Sequence, residues 1–198
     1  MLQFFVYIWN TNSKVFLPKK SNEMTQTNTS SLPIITSERL TLRPLVTEDQ
    51  NAIYELRSNT EINKYLDRQP CSSIEQAKNF IDIIKENVEK GGTYYWVITL
   101  SDSSEVVGTI CLFDISNEKN SCEIGYELSP KFQGQGIMQE AVKSIIHFVF
   151  DSLKLNMINA FTHKENQKST NLLSKLDFVK TEEIATENPN LVKFVLTK

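Results

Sequence analysis

The residues best suited to chemistry form one loop, Gln133-Gly134-Gln135-Gly136, between a predicted strand that ends at Leu128 and a predicted helix that begins at Gly136. The first amides of a helix have no internal hydrogen-bond acceptors, and they lie at the positive end of the helix dipole. Glycines let the backbone approach a bound group closely. The combination suits a phosphate group. The same glycines would also serve a tight turn that binds nothing, and the spacing alone allows both readings.

Two common phosphate-binding motifs do not fit this loop. A dinucleotide fingerprint needs a third glycine where Gln139 stands, and it needs an acidic residue at the end of a following strand. A P-loop needs Gly-Lys-Ser or Gly-Lys-Thr, which the sequence lacks.

The thiols and imidazoles do not indicate a metal site or a nucleophile. Cys71, Cys111 and Cys122 form no CxxC pair, and no histidine lies in the same motif as Cys122. We expect three buried free thiols in a reducing cytoplasm. His147 and His163 lack metal-ligand spacing, so no metal is expected.

Composition describes one globular domain. The chain has 198 residues, of which 40% are hydrophobic and 23% charged, with a net charge of −3. A mildly acidic domain is a poor ligand for nucleic acid but suits a cationic substrate such as an amine. The apolar start, residues 1–9, is too short to cross a membrane. We expect residues 1–31 to be a loosely ordered extension, with Met24 as a candidate natural start, and residues 32–198 to form the domain.

Periodicity predicts the elements that position the loop. A strand at 39–45 precedes a helix from Thr47, its expected cap, to about Ser58, and a second helix runs from Ser72 or Ser73 to Lys90. The remaining predicted elements are strands at 94–100, 106–113 and 122–128, a helix at 136–153, a strand at 157–162, a helix at 167–175 and strands at 178–184 and 191–197. The strand–helix–strand passage from 122 to 162 implies a parallel pair. The short turns that join the strands at 94–100, 106–113 and 122–128, and those at 178–184 and 191–197, imply antiparallel pairs.

Three blocks of this sequence resemble the GNAT N-acetyltransferase family. Gln133-x-x-Gly136-x-Met138 is similar to its pyrophosphate loop, although the family has Gly or Ala where Met138 stands. Residues 123–128 resemble its fourth strand. Asn166-Gln167-Lys168-Ser169, followed by Leu173-x-x-Leu176-Asp177-Phe178, resembles a later block, with Asp177 in a usual glycine position. The opening residues 36–43 resemble the branch that acetylates the N-termini of ribosomal proteins.

The resemblance implies a fold and a cofactor. The fold is α/β (α+β), with a mixed, mostly antiparallel sheet of about six or seven strands, a central parallel pair that splays apart, and helices on both faces. Acetyl-coenzyme A is the implied co-substrate. Its pyrophosphate would be held by amides of the loop, and its pantetheine arm would lie between the splayed strands. The implied coenzyme-binding residues are Leu128, Gln133, Gly134, Gln135, Gly136, Ile137, Met138, Asn166 and Ser169.

The resemblance also implies direct attack by a primary amine, without an acyl-enzyme. The N–H of Leu128 would donate to the thioester oxygen. Glu123 or Glu127 would take the proton of the ammonium, with Glu127 preferred for its nearness to the splay and Glu187 as an outside candidate. Ser169 would protonate the leaving thiolate. Each has an ordinary alternative: a solvated or ion-paired glutamate, a helix cap at Asn166, and a surface serine.

The acceptor stays open between a protein N-terminus and a small amine. The second helix and the loop from Tyr65 to Cys71 are expected to shape its pocket, and Tyr126 is expected to face the core. No nucleic acid or membrane is expected, and a homodimer or larger assembly is compatible with the branch. The alternatives are a non-catalytic acetyl-coenzyme A sensor and an α/β domain that binds a phosphorylated metabolite.

Overall fold

The computed structural model describes residues 32–184 and 188–198, with the side chains of all of these except residues 183 and 184. The predictions for the extension 1–31, for Met24 and for Glu187 fall outside the described residues. No helix in the described ranges is long and apolar enough to cross a membrane.

One mixed sheet organises the domain. Its strands are β1 (Ile35–Thr36), β2 (Leu40–Pro44), β3 (Tyr94–Leu100), β4 (Val106–Ser116), β5 (Ser121–Leu128), β6 (Met157–His163), β7 (Val179–Ile184) and β8 (Leu191–Thr197). They lie in the order β1-β2-β3-β4-β5-β6-β8-β7, and only β5 and β6 are parallel. The predicted mixed fold is confirmed. The sheet has eight strands instead of six or seven, because the short strand β1 adds an edge.

The parallel pair opens into a wedge. Residues 121–123 of β5 pair with residues 157–159 of β6, and no pairing continues beyond Glu123 and Asn159. The two strands diverge because each follows its other neighbour: β5 pairs with β4 up to Leu128, while β6 pairs with β8 up to His163. The splay implied by the resemblance is therefore present, with its apex at Glu123 and Asn159.

Helices cover both faces of the sheet. They are α1 (Gln50–Ser58), α2 (Thr60–Asn63), α3 (Ile74–Glu89), α4 (Ile137–His147) and α5 (Gln167–Lys175). A core under α1 and α3 includes Ile53, Phe80 and Tyr95, and a larger core under α4 and α5 includes Trp96, Val142 and Leu173. Because strand side chains alternate in direction, Glu123 and Glu127 face the α1 and α3 side, whereas Tyr126 faces the α4 and α5 side.

Several helix ends lie where the capping residues in the sequence predicted them. Ser73 caps α3 by accepting from the Gln76 amide at 3.3 Å, and Gly91 ends it with φ +74°. Asp177, in the usual glycine position, adopts the left-handed conformation itself, with φ +64°. The α5 helix has its predicted bounds, Gln167–Lys175.

Two local predictions are wrong, and one short helix was not predicted. Thr47 does not cap α1: it begins a 3₁₀ turn, Thr47–Asp49, in which the Asp49 carboxylate accepts from the Val46 amide at 3.0 Å. The helix expected to reach Leu153 ends as an α-helix at His147 and continues as a π-helical turn, Phe148–Ser152. The short helix α2 follows Asn59, whose side chain accepts from two amides, a signal that the sequence reading missed.

Candidate active site

The loop before α4 and the first turn of that helix, residues 133–139, present backbone N–H groups and are here called the cradle. Gly134 and Gly136 both have φ +78°, a conformation that side chains disfavour. The first helical hydrogen bond joins the Glu140 amide to the Gly136 carbonyl at 3.0 Å, so the N–H groups of residues 136–139 have no helical acceptor. Among residues 32–184 and 188–198, no other group accepts from them. This arrangement fits a pyrophosphate in chemistry and charge.

The side chains of the two residues after Gly136 point away from this loop. Ile137 and Met138 are buried in the core under α4, with 4% and 6% exposure. The methionine that stands where the family has Gly or Ala therefore does not place its side chain over the backbone N–H groups.

Ionic contacts brace the cradle from two sides. Arg39 donates to the Gln135 carbonyl at 3.1 Å and forms an ion pair with Glu140 at 2.7 Å. Burial of Glu140 acts to raise its pKa, but hydrogen bonds from the Arg39 amide and the Ser37 hydroxyl outweigh it, so the pKa is lowered. Lys168, on α5, donates to the Gln133 amide oxygen at 2.7 Å. It brings a positive charge to the cradle that the sequence reading passed over.

The wedge presents backbone N–H groups from β5. The Ser129 amide donates to the Val107 carbonyl of β4 at 2.8 Å. Because alternate residues of a strand point their amides to opposite sides, the N–H groups of Leu128 and Tyr126 point away from β4, toward the gap. The Leu128 carbonyl also faces this side, where it accepts from the Gln133 side chain at 3.0 Å. The geometry suits the donor role that the resemblance implies for Leu128.

Glu123 lies at the apex of the wedge with an unsatisfied oxygen. Its side chain is buried at 8% exposure, and its Oε2 has no hydrogen-bond partner among the described residues. Burial, and secondarily the charge of Asp114, raise its pKa to about 8, against opposing effects of Lys193 and Lys119. A carboxylate whose pKa lies near neutral pH is suited to accept a proton from a substrate.

Glu127 is engaged in a buried ion pair instead. Arg68 donates to its Oε2 at 2.8 Å, and the two side chains are 0% and 1% exposed. The Thr109 hydroxyl donates to its Oε1 at 3.3 Å. Arg68 comes from a loop 59 residues away along the chain, so no local pattern signalled this pair.

A hydroxyl pair lies on the opposite face of β5. The hydroxyls of Tyr126 and Ser169 are 2.9 Å apart. Burial raises the pKa of Tyr126 to about 12, although its hydrogen bond with Ser169 opposes the change. Tyr126 packs against the core as expected, but its link to Ser169 was not foreseen. Asn166 caps α5 by accepting from the Ser169 amide at 3.2 Å, which is the ordinary alternative for this residue.

A strap, residues 64–71, crosses the wedge on the α1 and α3 side. Its Arg68 binds Glu127 of β5, and the ring of its Tyr65 lies 5.3 Å from the ring of His163 at the end of β6. The Cys71 amide donates to the Arg57 carbonyl at 3.0 Å, which fixes the end of the strap to α1. The loop from Tyr65 to Cys71 thus contacts both strands of the wedge.

The cysteines and histidines form no centre of their own. All three cysteines are free and buried, as predicted. Burial, followed by the charge of a neighbouring glutamate, raises the pKa of Cys111 and of Cys122 to about 12, which disfavours a nucleophilic role. His147 is exposed beside Asp151. In the part of the chain that the structure describes, no group of three or more His, Cys, Asp or Glu side chains is arranged to hold a metal ion.

Comparisons with known proteins agree with this site. The family model described as an acetyltransferase (GNAT) domain matches residues 39–179. The uncharacterized N-acetyltransferase p20 of Bacillus licheniformis is 35% identical over 144 residues, 73% of this chain and 81% of the relative. The spermidine N(1)-acetyltransferase of Escherichia coli K12 is 25% identical over 137 residues, 69% of this chain and 71% of the relative.

A solved structure shares the fold. It is a ribosomal-protein-S5-alanine acetyltransferase from Vibrio fischeri, with a TM-score of 0.71 and 20% identity over 83% of this chain and 96% of that one. The family match, the relatives and the pairing of the cradle with a splayed strand pair lead to the same assignment. This chain belongs to the GNAT family and is an acetyl-coenzyme A-dependent N-acetyltransferase.

Proposed function

We propose that this enzyme acetylates a primary amine that enters on the strap-covered face, with Glu123 as the general base. The observation that carries the proposal is the unsatisfied, buried Oε2 of Glu123 at the apex of the wedge. Acetyl-coenzyme A supplies an activated acyl group there when bound. Glu123 takes a proton from the ammonium and so frees a nitrogen lone pair for attack.

Glu127 was the preferred base from the sequence, and its contacts favour a different role. The Arg68 guanidinium contacts its Oε2 at 2.8 Å, and the Thr109 hydroxyl donates to its Oε1 at 3.3 Å, so both oxygens already have partners. We propose that Glu127 holds the strap over the wedge through this ion pair. The two glutamates of one strand face would then have separate duties, proton transfer at the apex and positioning of the strap.

The coenzyme-binding residues keep their predicted roles in this proposal. Amides of residues 134–138 and the Lys168 ammonium hold the pyrophosphate, and the Leu128 N–H donates to the thioester oxygen, worth roughly 3 kcal/mol of transition-state stabilisation. Ser169, supported by the Tyr126 hydroxyl at 2.9 Å, delivers a proton to the departing thiolate. Asn166 holds α5 in place as its cap and offers its amide N–H₂ to the pantetheine arm.

We propose a primary alkylamine as the class of acceptor substrate. The relatives include a spermidine N(1)-acetyltransferase, and the shared fold includes a ribosomal-protein-alanine acetyltransferase, so small amines and protein N-termini both belong in the test. Assembly as a homodimer or larger oligomer and a cytoplasmic location remain predictions. Light scattering after size exclusion tests the first of these.

The experiment is a coenzyme A release assay with n-butylamine, spermidine and a hexapeptide that begins with alanine. We expect wild-type turnover of at least one amine. Glu123→Gln should lower kcat about 100-fold or more and leave the KM for acetyl-coenzyme A unchanged. Glu118→Gln, at an exposed position in the turn before β5, is the matched control and should keep full activity. Failure of the wild type to release coenzyme A with any amine, despite thermal stabilisation by acetyl-coenzyme A, would favour the sensor alternative.

A further inference from the structure

A second unsatisfied oxygen lies beside Glu123 at the apex of the wedge. Glu123 and Asn159 are the last paired residues of the parallel strands, so their side chains project from the same face of the sheet. Within the described residues, Oε2 of Glu123 and Oδ1 of Asn159 are both buried and without a hydrogen-bond partner. Two buried acceptors without partners therefore lie on neighbouring strands, on one face of the sheet.

The orientation of the Asn159 amide follows from its one contact. Its Nδ2 lies 3.5 Å from the Cys122 carbonyl oxygen, to which it donates a long hydrogen bond. A reversed amide would place two acceptors against each other, so the N–H₂ end belongs at the carbonyl and Oδ1 belongs on the other side. In this orientation Oδ1 is an acceptor whose donor must come from elsewhere.

Unpartnered buried acceptors are rare in folded proteins because they forgo hydrogen bonds to water. Two of them side by side, one a carboxylate oxygen, are complementary to a group that carries several donors and a positive charge. An alkylammonium has three N–H donors and no acceptor. A neutral amine would direct its lone pair at one of the two oxygens.

The next residue on this face of β5 is Gly125, so β5 places no side chain beside the two oxygens. A Cβ there would meet the Cys111 sulfur at 3.2 Å and the Phe113 ring at 3.3 Å, so these two side chains border the apex on that side. On β6 the next residue on the same face is Phe161, and the Lys193 ammonium lies 6.0 Å from the centre of its ring. The charged groups that act on Glu123 are Asp114, Lys119 and Lys193.

We infer that Asn159 is an acceptor-binding residue, whose Oδ1 and the Oε2 of Glu123 together bind two N–H groups of the substrate's primary ammonium. This inference rests on the proposed function. In the proton transfer, one N–H bond of the ammonium breaks, an O–H bond forms at Glu123 Oε2, and the nitrogen keeps the electron pair. Asn159 holds a second N–H throughout, so the amine stays in place when its charge is lost.

The test compares two substitutions at Asn159 with a control substitution just before the same strand, β6. Asn159→Leu removes the acceptor at similar volume, and Asn159→Asp keeps an acceptor oxygen. Asn156→Leu, at an exposed position three residues earlier, is the control. The substrate is the amine among n-butylamine, spermidine and the alanine-first hexapeptide that gives the highest wild-type kcat/KM.

We expect Asn159→Leu to raise the KM for the amine about tenfold or more, because a hydrogen bond to a charged group is lost, with the KM for acetyl-coenzyme A unchanged. Asn159→Asp should restore the amine KM to the wild-type value or below it. In the wild type, kcat/KM should fall again above the pKa of the substrate's own ammonium, which is about 10 for n-butylamine or spermidine and about 8 for the peptide N-terminus.

Three outcomes would overturn the inference: an unchanged amine KM in Asn159→Leu, an Asn159→Asp enzyme whose amine KM is also raised tenfold, or a kcat/KM that keeps rising above the pKa of the substrate's ammonium. If Asn159→Leu does not fold, the inference is tested by the amine KM of Asn159→Asp and by the fall of the wild-type kcat/KM at alkaline pH. A wild type that turns over no amine refutes the proposed function itself. An active wild type whose amine KM does not change on substitution of Asn159 refutes only this inference.

Discussion

Replacement of Glu123 by glutamine should stabilise the fold at alkaline pH, even as it removes the proposed base. The pKa of this carboxyl is about 8 in the folded protein against an ordinary value of 4.5. The folded state therefore binds its proton more tightly than the unfolded chain does. The resulting contribution to stability is fully present below pH 4.5 and is lost as pH rises through about 8.

The size of the effect follows from the shift. Each pKa unit corresponds to about 1.4 kcal/mol, so ionisation of Glu123 in the folded state costs up to about 5 kcal/mol. Glutamine cannot ionise and avoids this cost. The free energy of unfolding of Glu123→Gln relative to wild type should therefore rise by up to about 5 kcal/mol between pH 4.5 and pH 9.5.

The assay is urea unfolding at several pH values, with the difference in free energy taken between variant and wild type so that other titrating groups cancel. Glu118→Gln serves as the control, and its difference from wild type should stay flat within a few tenths of a kcal/mol because the position is exposed. A flat difference for Glu123→Gln, or one that falls as pH rises, would refute the reasoning that burial leaves this carboxylate unsatisfied.

Three further predictions concern the strap, the cradle and the hydroxyl pair. Arg68→Leu should lower the free energy of unfolding by about 3–5 kcal/mol, because it leaves the buried Glu127 charge without its ion-pair partner; urea unfolding measures this, and a loss below 1 kcal/mol would contradict it. Gly136→Ala should cost about 1–2 kcal/mol of stability, because φ is +78°, and should weaken acetyl-coenzyme A binding in calorimetry, whereas unaltered affinity would argue against the cradle. Ser169→Ala should lower kcat about 100-fold and Tyr126→Phe about tenfold with unchanged coenzyme affinity; equal rates in all three proteins would exclude the proton relay.

The parts of the site that could be predicted from the sequence are those that depend on residues close together along the chain. The cradle depends on glycines at a strand-to-helix junction, and α5 depends on the Asn166 cap and a short apolar stripe, so both have the expected positions. The prediction that β5 and β6 splay apart was based on the family resemblance, and it agrees with the end of their pairing at Glu123 and Asn159.

The parts that the sequence could not predict depend on contacts between distant residues. Glu123 and Glu127 are equivalent in spacing, and only Arg68, on the strap, distinguishes them by engaging one. Ser169 and Tyr126 are 43 positions apart, and their hydrogen bond follows from the docking of α5 against the sheet. The Thr47 cap failed for a local reason, since Asp49 supplies the competing carboxylate two residues later.

The most direct test of the central claim is the dependence of kcat/KM for the amine on pH at saturating acetyl-coenzyme A. With Glu123 as the base, activity should rise with pH to an apparent pKa of about 8, and the residual activity of Glu123→Gln should lack this limb. A wild-type limb near the ordinary glutamate value of 4.5, or the same limb retained in Glu123→Gln, would contradict the assignment of the base to the apex of the wedge.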